Sequence, residues 1–189
     1  VKNITIIKRL AIITSGGDSP GMNAAIRSVV RSSIYYNVEC YGFFRGFQGI
    51  IENDYRKLEM RSVSKILGLG GTKLKTARSM DFHDSKIREN AYQNLKNLEI
   101  DALVVIGGNG SLTGANVFSK QFDFPCVGVP ASIDNDIYGT DNSIGFHTAL
   151  QTIVETIDKI RDTARSHNRL FFVEVMGRDN GNLALHSSL

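Results

Sequence analysis

The residues best suited to chemistry lie in Ser132-Ile133-Asp134-Asn135-Asp136, just after the apolar run at 125–129. Asp134 and Asp136 are two apart, so in an extended chain they share a side with Asn135 opposite. Two carboxylates that close repel unless a cation or a proton intervenes. They suit a shared metal ion, or a general base beside a metal site. The plain alternative is a turn, because Asp and Asn bond to their own backbone. Two glycine-rich runs add to the first reading: Ser15-Gly16-Gly17-Asp18-Ser19-Pro20-Gly21 and Gly107-Gly108-Asn109-Gly110-Ser111. Each follows a strand-like run and precedes a helical pattern, offering backbone N–H groups and a helix N-terminus to an anion, so phosphate is the expected ligand. Neither has the Gly-Lys-Ser/Thr ending of a Walker loop, and Gly108-x-Gly110-x-x-x-Gly114 is only a loose dinucleotide fingerprint.

These residues need elements that bring them together. Leu10–Thr14, Glu39–Phe44, Ala102–Ile106, Pro125–Val129 and Leu170–Met176 read as strands, the Pro125–Val129 run as a buried one. Helical spacing marks Asn23–Tyr36, Ser62–Leu67, Ile87–Leu98, about 112–120, and a long helix from Phe146 through Leu150, Ile153, Ile157 and Ile160. Glu155 and Lys159 on that helix are spaced for an ion pair, as Arg27 and Arg31 are spaced to lie side by side. Repeated strand, glycine loop and helix predict an α/β fold: a doubly wound, mostly parallel, Rossmann-like sheet over 8–145. Ligands of such sheets bind at the carboxyl ends of the strands. Residues 146–189 read as the incomplete start of a second α/β domain, because the chain stops a few residues into the helix expected after the 177–182 loop.

At 189 residues, 42% apolar and 22% charged, the chain has the composition of an ordinary globular protein. Its net charge of +3 and scattered basic residues give no argument for nucleic acid. No apolar stretch approaches membrane-spanning length, and the apolar part of 1–8 is too short for a signal peptide. Cys40 and Cys126 lie in apolar runs without metal-ligand spacing and read as buried thiols. A cytoplasmic protein is expected.

Six motifs, in order, resemble those of the 6-phosphofructokinases. They are Thr14–Asn23, Gly70-Gly71-Thr72, Ile106–Ser111, Ile133–Asp136, Ser166–Arg169 and Glu174–Arg178. The resemblance runs from about Leu10 to the end and corresponds to the N-terminal part of longer chains. It implies that Gly17, Arg78, Ser79, Gly108, Asn109, Gly110 and Ser111 hold ATP, and that Asp134 is the base for the sugar 1-hydroxyl. It places Ser132 by the transferring phosphoryl group and Asp136, with Asn109, at Mg²⁺. Ile133, Met176, Gly177 and Arg178 would line the fructose 6-phosphate site together with Ser132 and Asp134, and Arg178 would also approach the transferring group. Arg169 would reach the substrate of a neighbouring subunit, which implies a homo-oligomer, tetrameric in the family. Arg27, Arg31 and Arg161 correspond to arginines of the family's effector site, although on spacing alone a solvated helix face is the simpler reading.

Three departures from the family pattern matter: one at the metal, one beside the donor, and an end to the sequence before the family's later Glu, His and Arg contacts to the sugar phosphate. Asn109 stands where the family usually has a metal-associated Asp. Ala131 replaces the Gly of ATP users and the Lys of pyrophosphate users, and Gly110 replaces the Asp of pyrophosphate users. The last two favour ATP. Met60 stands where bacterial members usually carry another effector arginine, which argues against nucleotide control. The expected function is ATP-dependent phosphorylation of fructose 6-phosphate, the alternatives being a pyrophosphate-dependent enzyme and a non-catalytic nucleotide-binding fragment or paralogue.

Overall fold

A computed structural model describes residues 6–177 and 179–188. In chain order the elements are β1 (Arg9–Ser15), α1 (Met22–Tyr35), β2 (Glu39–Phe43), α2 (Phe47–Ile51), β3 (Tyr55–Leu58), α3 (Ser85–Asn97), β4 (Ala102–Gly107), α4 (Asn109–Phe122), β5 (Cys126–Ser132), β6 (Ile144–Gly145), α5 (Phe146–His167) and α6 (Asn182–Ser187). Short 3₁₀ turns occupy Met60–Val63 and Asp81–His83. The strands form one sheet in the order β3-β2-β1-β4-β5-β6. All pairs are parallel except β2 with β3.

The two-residue period of a strand divides the core. Ala11 and Ile13 of β1, with Leu103 and Val105 of β4, face α2, α3 and α4. Ile12, Val104 and Ile106 face α1 and the 63–74 segment. The first layer is aromatic: Phe82 stacks on Phe47 with centroids 4.0 Å apart, and Tyr92 stacks on Phe122 at 4.5 Å. Phe118 lies among Phe82, Tyr92, Phe122 and Phe124. The second layer is aliphatic, with Met22, Ile26 and Val30 recurring on one side of α1. Asp84 caps α3 by accepting from the Lys86 backbone N–H at 2.8 Å.

The doubly wound sheet agrees with the sequence, and five local readings need correction. Ser62–Leu67 is not a helix: the 3₁₀ turn ends at Val63, and Lys65 takes a left-handed φ of +59° that breaks any helical winding. Leu170–Met176 is not a strand: no neighbouring backbone pairs with it among the described residues, and Leu170 and Phe172 are exposed. β-propensity without a ladder partner does not make a strand. β5 is not buried throughout, since Val127 is 59% exposed and Gly128 is exposed beside it. Glu155 accepts from Gln151 at 2.9 Å, and no Glu155–Lys159 ion pair forms among the described residues. Asn135 does not sit in extended chain between the two aspartates: its φ is +49°. The two short strands β3 and β6 and the helix α2 carry too few residues to show a period, and sequence reading passes over them. Cys40 is buried and Cys126 half-buried; burial pushes their thiols up to about 12 and about 11.

Phe118→Ala would remove the ring shared by four aromatic neighbours in a fully buried site. A cost of about 3–5 kcal/mol is expected, to be read as a lowered urea midpoint, while the exposed Val117→Ala leaves the midpoint nearly unchanged.

Candidate active site

β1 and β4 pair in parallel from Leu10↔Ala102 to Ser15↔Gly107, and β4 pairs with β5 through Gly107↔Pro130. Their carboxyl ends, and the loops that leave them, therefore stand side by side. The chain crosses from β1 to β2 on one side of β1 and to β4 on the other, which makes β1/β4 the switch point of the sheet. The loops after β1 and β4 diverge there to opposite layers, α1 and α4. Between them lies the crevice in which sheets of this kind take ligands.

Each wall of the crevice is fixed by side chains to which the sequence assigned no role. Thr14 is buried, and its hydroxyl donates to the Lys75 carbonyl at 2.7 Å. Its single proton being used, it accepts from Thr72 Oγ1 at 2.9 Å. Thr76 Oγ1 donates to the Gly16 carbonyl at 2.6 Å, and buried Asn23 bridges the Lys73 N–H and the Leu69 carbonyl. The Gly70-Gly71-Thr72 motif is thereby bolted to the loop after β1. Ser19 Oγ donates to the Ile144 carbonyl, closing the far side of that loop on β6. Gly145 must be glycine there: its φ is +111°, and a Cβ would come within 2.6 Å of Ser19 Cβ.

Gly17 and Gly110 are glycines of another kind. A Cβ at either would meet no atom within 4 Å, and neither has a positive φ. Gly110 even sits in the first turn of α4, where glycine costs about 0.5–1 kcal/mol relative to alanine. Among the described residues nothing fills the space next to them. Glycine is the residue that lets a ligand approach backbone closely. The α4 N-terminus, with Gly108 as its uncapped first flank, presents N–H groups without intrahelical partners to the same space. Lys73, Lys75 and exposed Arg78 lie in the loop bolted to Gly16, and none takes part in an ion pair among the described residues. The sheet's inter-strand pairs Arg9–Glu39 and Lys57–Glu39 sit away from these loops, and the Lys57 hydrogen bond, with Tyr41 and Arg9, holds Glu39 below the usual carboxylate range. Cations and open glycines of this kind are what a site for an anion requires. Ser79 Oγ is committed to Gln48 Oε1 at 2.9 Å.

The 132–136 loop closes the crevice from the β5 side. Asn135 tolerates its left-handed backbone because its short amide bonds locally. Its Oδ1 accepts from the Ser143 N–H at 2.8 Å and its Nδ2 donates to the Asp141 carbonyl at 3.1 Å. Buried Ser143 donates to the Ser132 carbonyl at 2.6 Å, and Ser132 Oγ accepts from the Asp134 N–H at 3.2 Å. Asn109 Nδ2 donates to both the Asp136 carbonyl, at 3.2 Å, and Asp136 Oδ2, at 3.1 Å. The amide is oriented by chemistry, because both partners only accept. Asn182 Nδ2 reaches the Asp134 and Asn135 carbonyls at 3.1 and 3.3 Å.

The structure therefore brings Gly17, Gly108, Asn109, Gly110, Ser111, Ser132, Ile133, Asp134 and Asp136 to one edge of the sheet. It does not bring Arg169 there. α5 starts at Gly145, opposite Ser132, and its 22 residues carry the chain about 33 Å away before Arg169. Met176 and Gly177 are exposed on the returning segment, and Arg178 lies outside the described residues. Arg27 Nη1 donates to the Val63 carbonyl at 2.8 Å, Arg31 is exposed, and Arg161 pairs with Asp158 on its own helix. Among the described residues no group of three or more His, Cys, Asp or Glu could hold a metal. A site with one or two carboxylates suits a cation whose other ligands are phosphate and water, as Mg²⁺ prefers.

Fold and site together define a doubly wound α/β protein with two glycine loops and a carboxylate-bearing loop gathered at its switch point. The phosphofructokinase family model matches residues 9–189, and the chain belongs to that family. It is 55% identical over 183 residues to ATP-dependent 6-phosphofructokinase 2 of Bacteroides thetaiotaomicron, covering 97% of this chain and 56% of that protein. It is 56% identical to ATP-dependent 6-phosphofructokinase of Bacillus pumilus, over 97% of this chain and 57% of the relative. Among solved structures, phosphofructokinase from Saccharomyces cerevisiae superposes with a TM-score of 0.90 at 42% identity, over 94% of this chain and 27% of that one. Pyrophosphate-dependent phosphofructokinase from Marinobacter aquaeolei superposes at 0.86 with 21% identity, over 96% of this chain and 49% of that one, a likeness of fold alone. The chain spans little more than half the length of the two bacterial relatives.

Asn109→Asp would replace the donor to Asp136 with a second carboxylate about 3 Å away. Such charges repel by about 1 kcal/mol when solvated. The variant should melt lower than wild type without divalent ion and regain the difference on addition of Mg²⁺. The wild-type midpoint should respond less to Mg²⁺, as differential scanning fluorimetry would show.

Proposed function

We propose that this chain carries the ATP side, and part of the sugar side, of an ATP-dependent 6-phosphofructokinase. The reaction moves the γ-phosphoryl group of ATP to the 1-hydroxyl of fructose 6-phosphate. The observation that carries the reading is the Asn109–Asp136 contact, which holds a carboxylate loop within hydrogen-bond reach of an N-terminal helix turn built to receive phosphate. The ATP dependence of relatives at 55–56% identity supports the choice of donor. Open space at Gly110 supports it further, since an Asp there would crowd and repel a nucleotide's phosphates.

Phosphoryl transfer asks a protein for positioning and charge neutralisation more than for covalent help. Gly17, Arg78, Ser79 and Gly108–Ser111 would hold the nucleotide, the glycines by letting backbone N–H groups approach and Arg78 by its charge. Asp136 would hold Mg²⁺, with Asn109 orienting that carboxylate, and bound Mg²⁺ would neutralise charge on the phosphates. Asp134 would accept the proton of the sugar 1-hydroxyl, which strengthens the attacking oxygen as it approaches phosphorus. Ser132 lies two residues before that base and would face the moving group. Ile133, Met176, Gly177 and Arg178 would contact the sugar phosphate. The distance that α5 puts between Arg169 and the crevice supports a role for Arg169 in a neighbouring subunit of a homo-oligomer. Residues 8–145 would form the nucleotide-binding domain, and 146–189 the beginning of the sugar-phosphate domain. Arg27, Arg31 and Arg161 would serve an effector site, Arg27 giving part of its guanidinium to Val63. A cytoplasmic location suits a glycolytic substrate; no helix among the described residues is long and apolar enough to cross a membrane.

Two measurements on the intact protein test the reading. ADP release should depend on fructose 6-phosphate with ATP as donor, and pyrophosphate should not replace ATP; the reverse preference would transfer the chain to the pyrophosphate users. Asp134→Ser should lower turnover by about 10²–10⁴-fold with nucleotide binding retained. If the variant keeps most of its rate, another group is the base.

A further inference from the structure

We propose that Asn182 is a positioning residue for the Asp134 base, a role that rests on the kinase reading above. Its Nδ2 donates to two consecutive carbonyls, Asp134 O at 3.1 Å and Asn135 O at 3.3 Å. Those oxygens belong to the peptide planes on either side of Asn135. Holding both planes fixes the backbone dihedrals between Asp134 and Asp136, and so the directions in which the two carboxylates leave the chain. Asn182 acts on the loop's backbone, not on either carboxylate.

An amide is the fitting group. It has two protons on one nitrogen, and its partners only accept. Aspartate at 182 would set an anion against two carbonyl oxygens, and alanine would leave both unbound. Asn182 is itself held: it opens α6, its N–H donates to Asn180 Oδ1 at 2.7 Å, and the next residue, Leu183, is buried. His186 meets Phe146 edge to face at 5.7 Å, which seats α6 on the start of α5, next to the β5–β6 pair from which the loop springs. The loop is thus gripped from three directions: by Asn109 from the phosphate side, by Asn135 and Ser143 from within, and by Asn182 from α6. Asn182 is the member that lies four residues beyond the 176–178 segment assigned to the sugar phosphate. It ties the wall that would read the acceptor to the group that would activate it.

The test uses the intact protein and the variants Asn182→Ala, Asn182→Asp and Asn182→Gln. Sugar-dependent ADP release by the wild type decides the kinase reading by itself. Given that activity, kcat should fall by about ten- to a hundredfold in Asn182→Ala, the loss expected when a reacting group is misplaced by about 1 Å. It should fall further in Asn182→Asp and be partly regained in Asn182→Gln, with KM for ATP unchanged in all three. Amide hydrogen exchange over 132–136 should quicken in Asn182→Ala and Asn182→Asp while β4 stays protected, and this arm does not require activity. Wild-type exchange in that loop, or wild-type kcat in both variants, would overturn the assignment. Global unfolding of both would overturn it too, since Asn182 would then hold the fold and not the loop.

Discussion

The parallel ladder between β1 and β4 is the constraint on which the site depends. Both strands are buried over most of their length, so their register is set by two packed layers at once. A slip of one residue would turn Ile12 toward the aromatic layer and Ile13 toward α1, exchanging every side chain between layers that fit different shapes. With the register fixed, Ser15 lies opposite Gly107, and the two glycine loops leave the sheet from adjacent points. Gly107 permits that closeness, because a Cβ there would come within 2.5 Å of the Ser15 carbonyl.

Around this ladder the molecule is built by layers of decreasing rigidity. The core is apolar and closed. Above it, buried Thr14, Asn23 and Ser143 each hydrogen-bond to loop backbone, and among the described residues no buried side-chain polar atom lacks a partner. Satisfied polar groups in a low-dielectric surrounding hold geometry firmly. The outermost groups, Asp136, Asn109 and Arg78, are exposed and rest on that frame. Such an order suits phosphoryl transfer, where the frame must be still and the charged groups must meet a hydrated ligand.

The neutral Asn109 changes how the loop is held. A carboxylate at that position would need a cation to stand beside Asp136, whereas the amide binds it directly. Asn182 does the same to the backbone beneath Asp134. The loop is therefore organised by hydrogen bonds that the chain itself makes.

Sequence by itself determined the sheet's class, the strand–loop–helix rhythm, both glycine loops and the Asp134–Asp136 pair. All of these rest on local physics: periodicity of apolar residues, glycine where backbone must come close, carboxylates at a strand end. The tertiary structure decided the rest. Leu170–Met176 has the composition of a strand and is none, because a strand exists only with a partner. Asn135 turned out to be the left-handed bracket of the loop, since Ser143, eight residues on, was needed to donate its N–H to the Asn135 amide oxygen. Asn182 lies 48 and 47 residues from the two carbonyls it grips, and no local pattern announces a donor whose acceptors are backbone atoms. Main-chain oxygens are the same at every residue; only folding selects which of them a given side chain can reach.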